Sequence, residues 1–325
     1  MGGTMGRRIL FAFFVLILAG PAANATESIL IGLVGKGSSL EWPIYIAQEK
    51  KFFESEGVTV TLVSSQSSAG MQQQLAAGSV NMGGGGLVDL IRAIDKGAPI
   101  AIFAIEATTA DYTLLAKPQI KTYADLKGKT VIVGGAKDIT RMYLDWMASA
   151  NGLKPGDYDM VYAGASSARF SALLSGAVDS ALVTSLFGFR GEAMGYSNLG
   201  LAYDYVKDFP FTGYDLNTNW AKEHKPAIIA YLKGFAKAVD WFYDPANKKD
   251  AVEILSRANG SQPEDGAKTY DIYRKVRMFD AGSSKAKSIG NLLKIMVELG
   301  DLSAPVPPVE KFYDLSYQSV VADMK

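Results

Sequence analysis

The residues of this chain best equipped for chemistry fall into five short clusters. They are Ser38, Ser39 and Trp42; Ser68, Gly70 and Met71; Gly84, Gly85 and Gly86; Lys137, Asp138, Thr140 and Arg141; and Thr184, Ser185 and Phe187. Hydroxyls, glycines, one guanidinium and aromatic faces hold a molecule; they do not break bonds. A guanidinium matches a carboxylate or sulfonate in a two-point contact. Arg141 is therefore the sharpest charged candidate, with pairing to Asp138 or Asp145 on its own helix as the alternative. Trp42, before Pro43, either stacks on a planar ligand or staples its own helix. The run Gly83–Gly86 reads as a loop that lets a ligand approach the backbone, or as a tight turn. Tyr112 and Tyr214 line a cleft or pack a hinge.

Bond-making chemistry finds little support. The chain has no Cys and a single His, which excludes a thiolate metal site, a Cys nucleophile and most triads. That His224 sits beside Lys225 and Pro226 at a helix start and reads as a surface or capping residue. No convergent carboxylate pair is expected in the cleft, so the chain is read as a non-enzyme without cofactor or metal.

The elements that must position these clusters repeat. Leu75-Ala76-Ala77-Gly78-Ser79-Val80-Asn81-Met82 recurs as Leu173-Leu174-Ser175-Gly176-Ala177-Val178-Asp179-Ser180. Each reads as a helix stopped at Gly, followed by a strand start. One unit used twice predicts two similar α/β lobes, with strand-end loops facing a cleft. Strands and helices alternate along the chain, as in mostly parallel sheets covered on both faces. Strands are expected at 29–34, 58–63, 80–82 and 100–105, then at 112–116, 130–133, 160–162, 180–183, 199–203 and 211–216. Ser64 to Gly70 reads as a polar loop before a helix at 71–77, and Asp138 as the N-cap of a helix at 139–150. Ile228, Leu232, Phe235, Val239 and Phe242 form one buried helical stripe. Further helices are expected at 250–258 and 289–299, with a short one closing the chain. The expected division is lobe 1 at 26–111 plus 212–325 and lobe 2 at 112–211, with chain crossings near Tyr112 and Phe211.

Arg7 and Arg8, an apolar run from Ile9 to Leu18, and Ala23-Asn24-Ala25 read as a signal peptide, residues 1–25, cleaved before Thr26. The chain is thus expected in the periplasm, without a lipid anchor. Arg and Lys total 33, as do Asp and Glu, so nucleic acid is not the expected partner. A monomer is expected.

Trp42-Pro43-Ile44-Tyr45-Ile46-Ala47-Gln48-Glu49-Lys50-Lys51-Phe52-Phe53 and Glu56-Gly57-Val58-Thr59-Val60 resemble one family. So do Asp125-Leu126-Lys127-Gly128-Lys129-Thr130-Val131, the two Leu-x-x-Gly-x-Val motifs, and the tail from Gly300-Asp301-Leu302 to Phe312-Tyr313-Asp314. The chain is similar there to the periplasmic solute-binding proteins of the taurine, alkanesulfonate, nitrate and thiamine-precursor type, the SsuA/NMT1-like group of ABC importers. The resemblance implies a type II periplasmic binding protein fold: two doubly wound α/β lobes joined by two crossing strands, with a ligand clamped between them. It also implies hinge closure and delivery to an ABC permease in the inner membrane. The expected solute is a small organic anion, a sulfonate or aromatic carboxylate, resting on Lys137 and Arg141. The alternative is a planar heterocycle, a pyrimidine or flavin precursor, resting on Trp42, Phe187 and Tyr112. An exported sensor partner or enzyme on the same fold is a further alternative. Thiamine-pyrimidine synthases of this fold carry a Cys-rich motif and a substrate His; this chain has no Cys, and its single His224 reads as a surface or capping residue.

Overall fold

The computed structural model describes residues 1–2, 26–206, 209–280, 286–317 and 320. The expected signal peptide and the end of the expected closing helix lie outside them.

Among the described residues, ten strands form two five-stranded sheets. The first sheet takes β1 (Glu27–Val34), β2 (Val58–Ser65), β3 (Met82–Gly86), β4 (Ile100–Ala107) and β10 (Thr212–Asn217). The second takes β5 (Thr113–Ala116), β6 (Thr130–Val133), β7 (Asp159–Tyr162), β8 (Ser180–Val183) and β9 (Ser197–Leu201). Their orders are β2-β1-β3-β10-β4 and β7-β6-β8-β5-β9. In each, three parallel strands are followed by an antiparallel one, the first strand after the chain crosses from the other sheet.

The repeated octapeptide occupies matching places. Gly78 and Gly176 both take left-handed φ, at 73° and 80°, where a helix ends and any other side chain would be strained. Three residues on, Asn81 Oδ1 accepts the amide of Leu30 in β1, at 2.8 Å. Asp179 Oδ2 likewise accepts the amide of Thr130 in β6, at 3.0 Å. One side chain thus pins β1 to the start of β3 and another pins β6 to the start of β8.

The glycine run departs from expectation. Gly83 to Gly86 are strand residues of β3, none has positive φ, and they do not form a loop. A Cβ at Gly83 would lie 2.5 Å from Met71 Cε, and one at Gly84 2.8 Å from Leu33 Cδ2. The glycines are needed because side chains from both faces press onto this central strand.

The stripe on helix Lys225–Tyr243 is buried as expected, and it packs beside helices Trp42–Glu49 and Phe52–Ser55. Phe53 stacks on Tyr231 at 5.2 Å. Helix Pro263–Val276, which the sequence reading passed over, reaches the second sheet's side: Lys268 Nζ lies 5.7 Å from the Phe189 ring.

Candidate functional site

A cavity of about 80 Å3 opens between the two sheets. One water needs roughly 10–15 Å3 on this measure, so the space suits a small solute. Residues from both sheets line it: Ser38, Glu41, Ser68, Gly84, Gly85, Gly86, Glu106 and Thr212 from the first side, and Asp138, Gly164, Ser166, Arg169, Thr184 and Phe187 from the second. Tyr112, between the sheets, and Phe211 complete it with Phe187 as aromatic walls. The halves touch: Gly164 packs on the backbone of Gln66 and Ser67, where a Cβ would come 3.0 Å from Ser67 Cα.

Of the residues expected here, Ser38, Ser68, Gly84, Gly85, Tyr112, Asp138, Thr184 and Phe187 reach the cavity wall. The others are placed elsewhere. Trp42 is fully buried in the first lobe; its indole N–H donates to the Ala251 carbonyl at 2.8 Å, and Phe242, Tyr270 and Tyr273 surround the ring. An indole so enclosed is held as a core anchor. Met71 is core beneath Gly32 and Gly83. Gly70 lies in the first turn of helix Ser68–Ala76, its amide capped by Ser67 Oγ at 3.1 Å; the expected loop is helical because Ser67 caps it. Ser39 Oγ bonds Tyr273 Oη at 2.9 Å. Thr140 Oγ1 donates to Asp138 Oδ1, which also accepts the Thr140 amide, so Asp138 caps its helix as expected. Ser185 is buried, its amide directed to Asp111 Oδ1 at 3.4 Å.

The two cations behind an anion are also absent from the cavity wall. Arg141 pairs with Asp145 at 3.3 Å and bonds the Ala136 carbonyl at 3.2 Å. Lys137 is outside the cavity wall, and its carbonyl accepts from Arg92 of the first lobe. Tyr214 is buried on β10 and donates to Glu106 Oε1.

Glu41, Glu106 and Arg169 are the residues that the sequence reading missed. Glu106 is the penultimate residue of β4, in which every other residue is apolar, a readable signal of a buried charge with a task. Burial pushes its carboxyl up to about 7. Glu41 is 6% exposed, and its Oε2 has no hydrogen-bond partner. Burial and then the nearby Glu106 charge push its carboxyl well above the usual range. A carboxylate pair therefore stands in the cleft, where none was expected. Arg169, 1% exposed, bonds the Leu182 carbonyl at 2.6 Å, the Ala163 carbonyl at 3.0 Å, the Gly164 carbonyl, and Ser166 Oγ at 2.8 Å. Its fork fixes the 163–166 loop that forms one cavity wall. His224 stands at the start of helix Lys225–Tyr243, stacked on Trp220 at 4.7 Å and bonded to Glu27, away from the cavity.

A family model described as NMT1/THI5 like matches residues 41–248. Curated relatives are named 4-amino-5-hydroxymethyl-2-methylpyrimidine phosphate synthase. The Schizosaccharomyces pombe protein is 28% identical over 42% of this chain and 39% of its own length. One from Saccharomyces cerevisiae is 23% identical over 72% of this chain and 73% of its own. These names overturn the expectation that the chain is no enzyme. That expectation leaned on the missing Cys and on an absent carboxylate pair, and Glu41 and Glu106 supply such a pair. Solved structures share the fold. The ligand-binding component of an ABC-type import system from Staphylococcus aureus, solved with zinc bound, has a TM-score of 0.76 at 13% identity, over 91% of this chain and 99% of that one. The nitrate-binding protein NrtA from Synechocystis PCC 6803 gives 0.74 at 17%, over 92% and 89%. The alkanesulfonate-binding protein SsuA from Xanthomonas axonopodis pv. citri, bound to MOPS, gives 0.72 at 17%, over 88% and 98%. The architecture is that of the type II periplasmic binding proteins.

Proposed function

The chain belongs to the NMT1/THI5-like family, and we propose that it captures a small planar heterocycle between its two lobes by hinge closure and hands it to an ABC permease. The carrying observation is the cavity itself, walled by both sheets and by the rings of Tyr112, Phe187 and Phe211. Flat aromatic walls favour a flat solute. A heterocycle is favoured over an organic anion because neither Lys137 nor Arg141 lines the cavity, and Arg141 is bonded to Asp145 and the Ala136 carbonyl. In this reading residues 26–111 and 212–325 move against 112–211, the crossings before β5 and β10 act as hinges, and the leader at 1–25 delivers the mature chain to the periplasm. The pyrimidine in the curated relatives' name makes aminopyrimidines the first solutes to try.

A thermal-shift screen of residues 26–325 tests this. Pyrimidines, flavins, aromatic carboxylates and sulfonates form the panel. A solute at about 100 times its Kd adds roughly 2.7 kcal/mol of stability. A shift with heterocycles, with a fall in the radius of gyration by small-angle scattering, is expected. A shift with sulfonates or carboxylates alone would contradict the heterocycle.

A second reading, acid–base chemistry on the bound heterocycle, is favoured by the carboxylate pair and by the relatives' names. Product formation from a bound pyrimidine, lost in Glu106→Gln, is its test.

A further inference from the structure

The first lobe puts two carboxylates on the cavity wall and leaves one oxygen of Glu41 without a partner. Glu41 is more than nine-tenths buried, it lines the cavity, and its Oε2 is unpartnered. A buried acceptor without a partner is costly, so a site that keeps one is built to be completed by a donor. Two further buried hydroxyls stand on the same wall, Thr212 Oγ1 beside Glu106 and Ser68 Oγ beside Asp89, neither in a well-formed hydrogen bond. Glu106 is held in place by the Tyr214 hydroxyl.

The charges around the pair do not neutralise it. Tyr45, Tyr214, Tyr231 and Tyr273 face it as phenols whose ionisation burial suppresses further. Lys36 lies on the cavity wall but is exposed to solvent. Across the cavity, Asp138 adds a third acid, and Arg169 has directed its donors at the loop carbonyls and Ser166.

We propose that Glu41 and Glu106 together form the receptor for a protonated planar nitrogen group, of the amidinium or aminopyridinium class, whose N–H bonds point into the first lobe. Such a group offers two parallel donors, and hydrogen bonds between charged partners are about twice as strong as neutral ones. An anion at the same place would meet two carboxylates in a dry site. The aromatic walls sandwich the ring, while Ser68 and Thr212 take its remaining polar atoms. This inference rests on the capture reading above and adds the charge and donor pattern of the solute.

The test uses three probes of one shape and three charges: benzamidinium, benzamide and benzoate, titrated calorimetrically into residues 26–325 at neutral pH. The expected order is benzamidinium tightest, by about tenfold over benzamide, with benzoate weakest. Glu41→Gln and Glu106→Gln each reduce benzamidinium binding about tenfold and leave benzamide within about threefold. Melting curves of both variants check the fold; each replaces a carboxyl whose ionised form burial disfavours and should melt no earlier than the parent. Benzoate binding tightest, or an order that neither variant changes, overturns the inference. If none of the three binds while another planar solute shifts the melt, the charge selection falls and capture stands. If no solute of any class binds, both fall.

Discussion

The two sheets share an order and a helix–Gly–strand motif, yet their crossing strands differ sharply. In the second lobe, β5 reads Thr113-Leu114-Leu115-Ala116, an almost wholly apolar buried strand. In the first, β10 buries Thr212, Tyr214, Asp215 and Asn217. Tyr214 reaches Glu106, and Asn217 bonds the Leu75 carbonyl at 2.8 Å. Asp215 is fully buried, and its carboxyl is pushed up to about 7 by burial. The glycines of β3 make room for these side chains: a Cβ at Gly83 would lie 2.7 Å from Asp215 Oδ1, and one at Gly84 3.2 Å from Tyr214 Cε1. In the proposed account the first lobe holds the chemistry and the second supplies a shaped cover. That cover is set by Arg169, whose charge is directed at backbone carbonyls.

This contrast can be broken from either side. The largest effect is expected from Arg169→Met. It leaves the carbonyls of Ala163, Gly164 and Leu182 without their donor in a buried place and should cost about 3–5 kcal/mol, read as a lowered Tm. If melting is unchanged, the arginine is not what fixes the cover. Next comes the pH dependence of the first lobe. Glu106 has a folded-state value of about 7 against an ordinary 4.5. The folded chain thus binds more protons than the unfolded chain between those values, and stability falls as pH rises through that window. The loss is on the order of 3 kcal/mol at most and is complete above about pH 7. Urea melts of Glu106→Gln should show a flatter profile over that range; a profile parallel to the parent's would contradict the assignment.

Gly84→Ala should cost about 1–3 kcal/mol by overpacking against Leu33 and Tyr214. Gly164→Ala leaves each lobe intact but keeps the lobes apart at Gln66 and Ser67. It should weaken ligand binding about tenfold, with Tm little changed. Equal loss of both would mean that the contact is part of the fold alone. The smallest effect is Arg141→Ala. Its ion pair is surface-exposed, so under about 0.5 kcal/mol of stability should go, with no change in binding. A large loss of affinity for an anion would restore the anionic solute.

The lobes were legible because their signals are local. A helix stop at Gly78 or Gly176 needs a positive φ, and the pinning roles of Asn81 and Asp179 sit at a fixed spacing from it. The cavity wall was legible only in part, because a strand-end loop brings several residues near a cleft and only one or two turn inward. Trp42 and Met71 looked available by type and spacing, but they were claimed by helices more than a hundred residues away or by a strand across the sheet. The glycine run resembled a loop because the pressure on it comes from β10, far along the chain. Glu106 was readable as a lone acid in an apolar strand, whereas its pairing with Glu41 is set by tertiary packing that sequence spacing does not carry.

The division of labour between the lobes is tested most directly by a crystal structure with the tightest planar solute from the screen. The account predicts its N–H edge about 3 Å from the carboxylates of Glu41 and Glu106, with the second lobe giving ring and hydroxyl contacts only. A solute held through an anionic group by Arg169 or Arg141, with Glu41 still unpartnered, would contradict it.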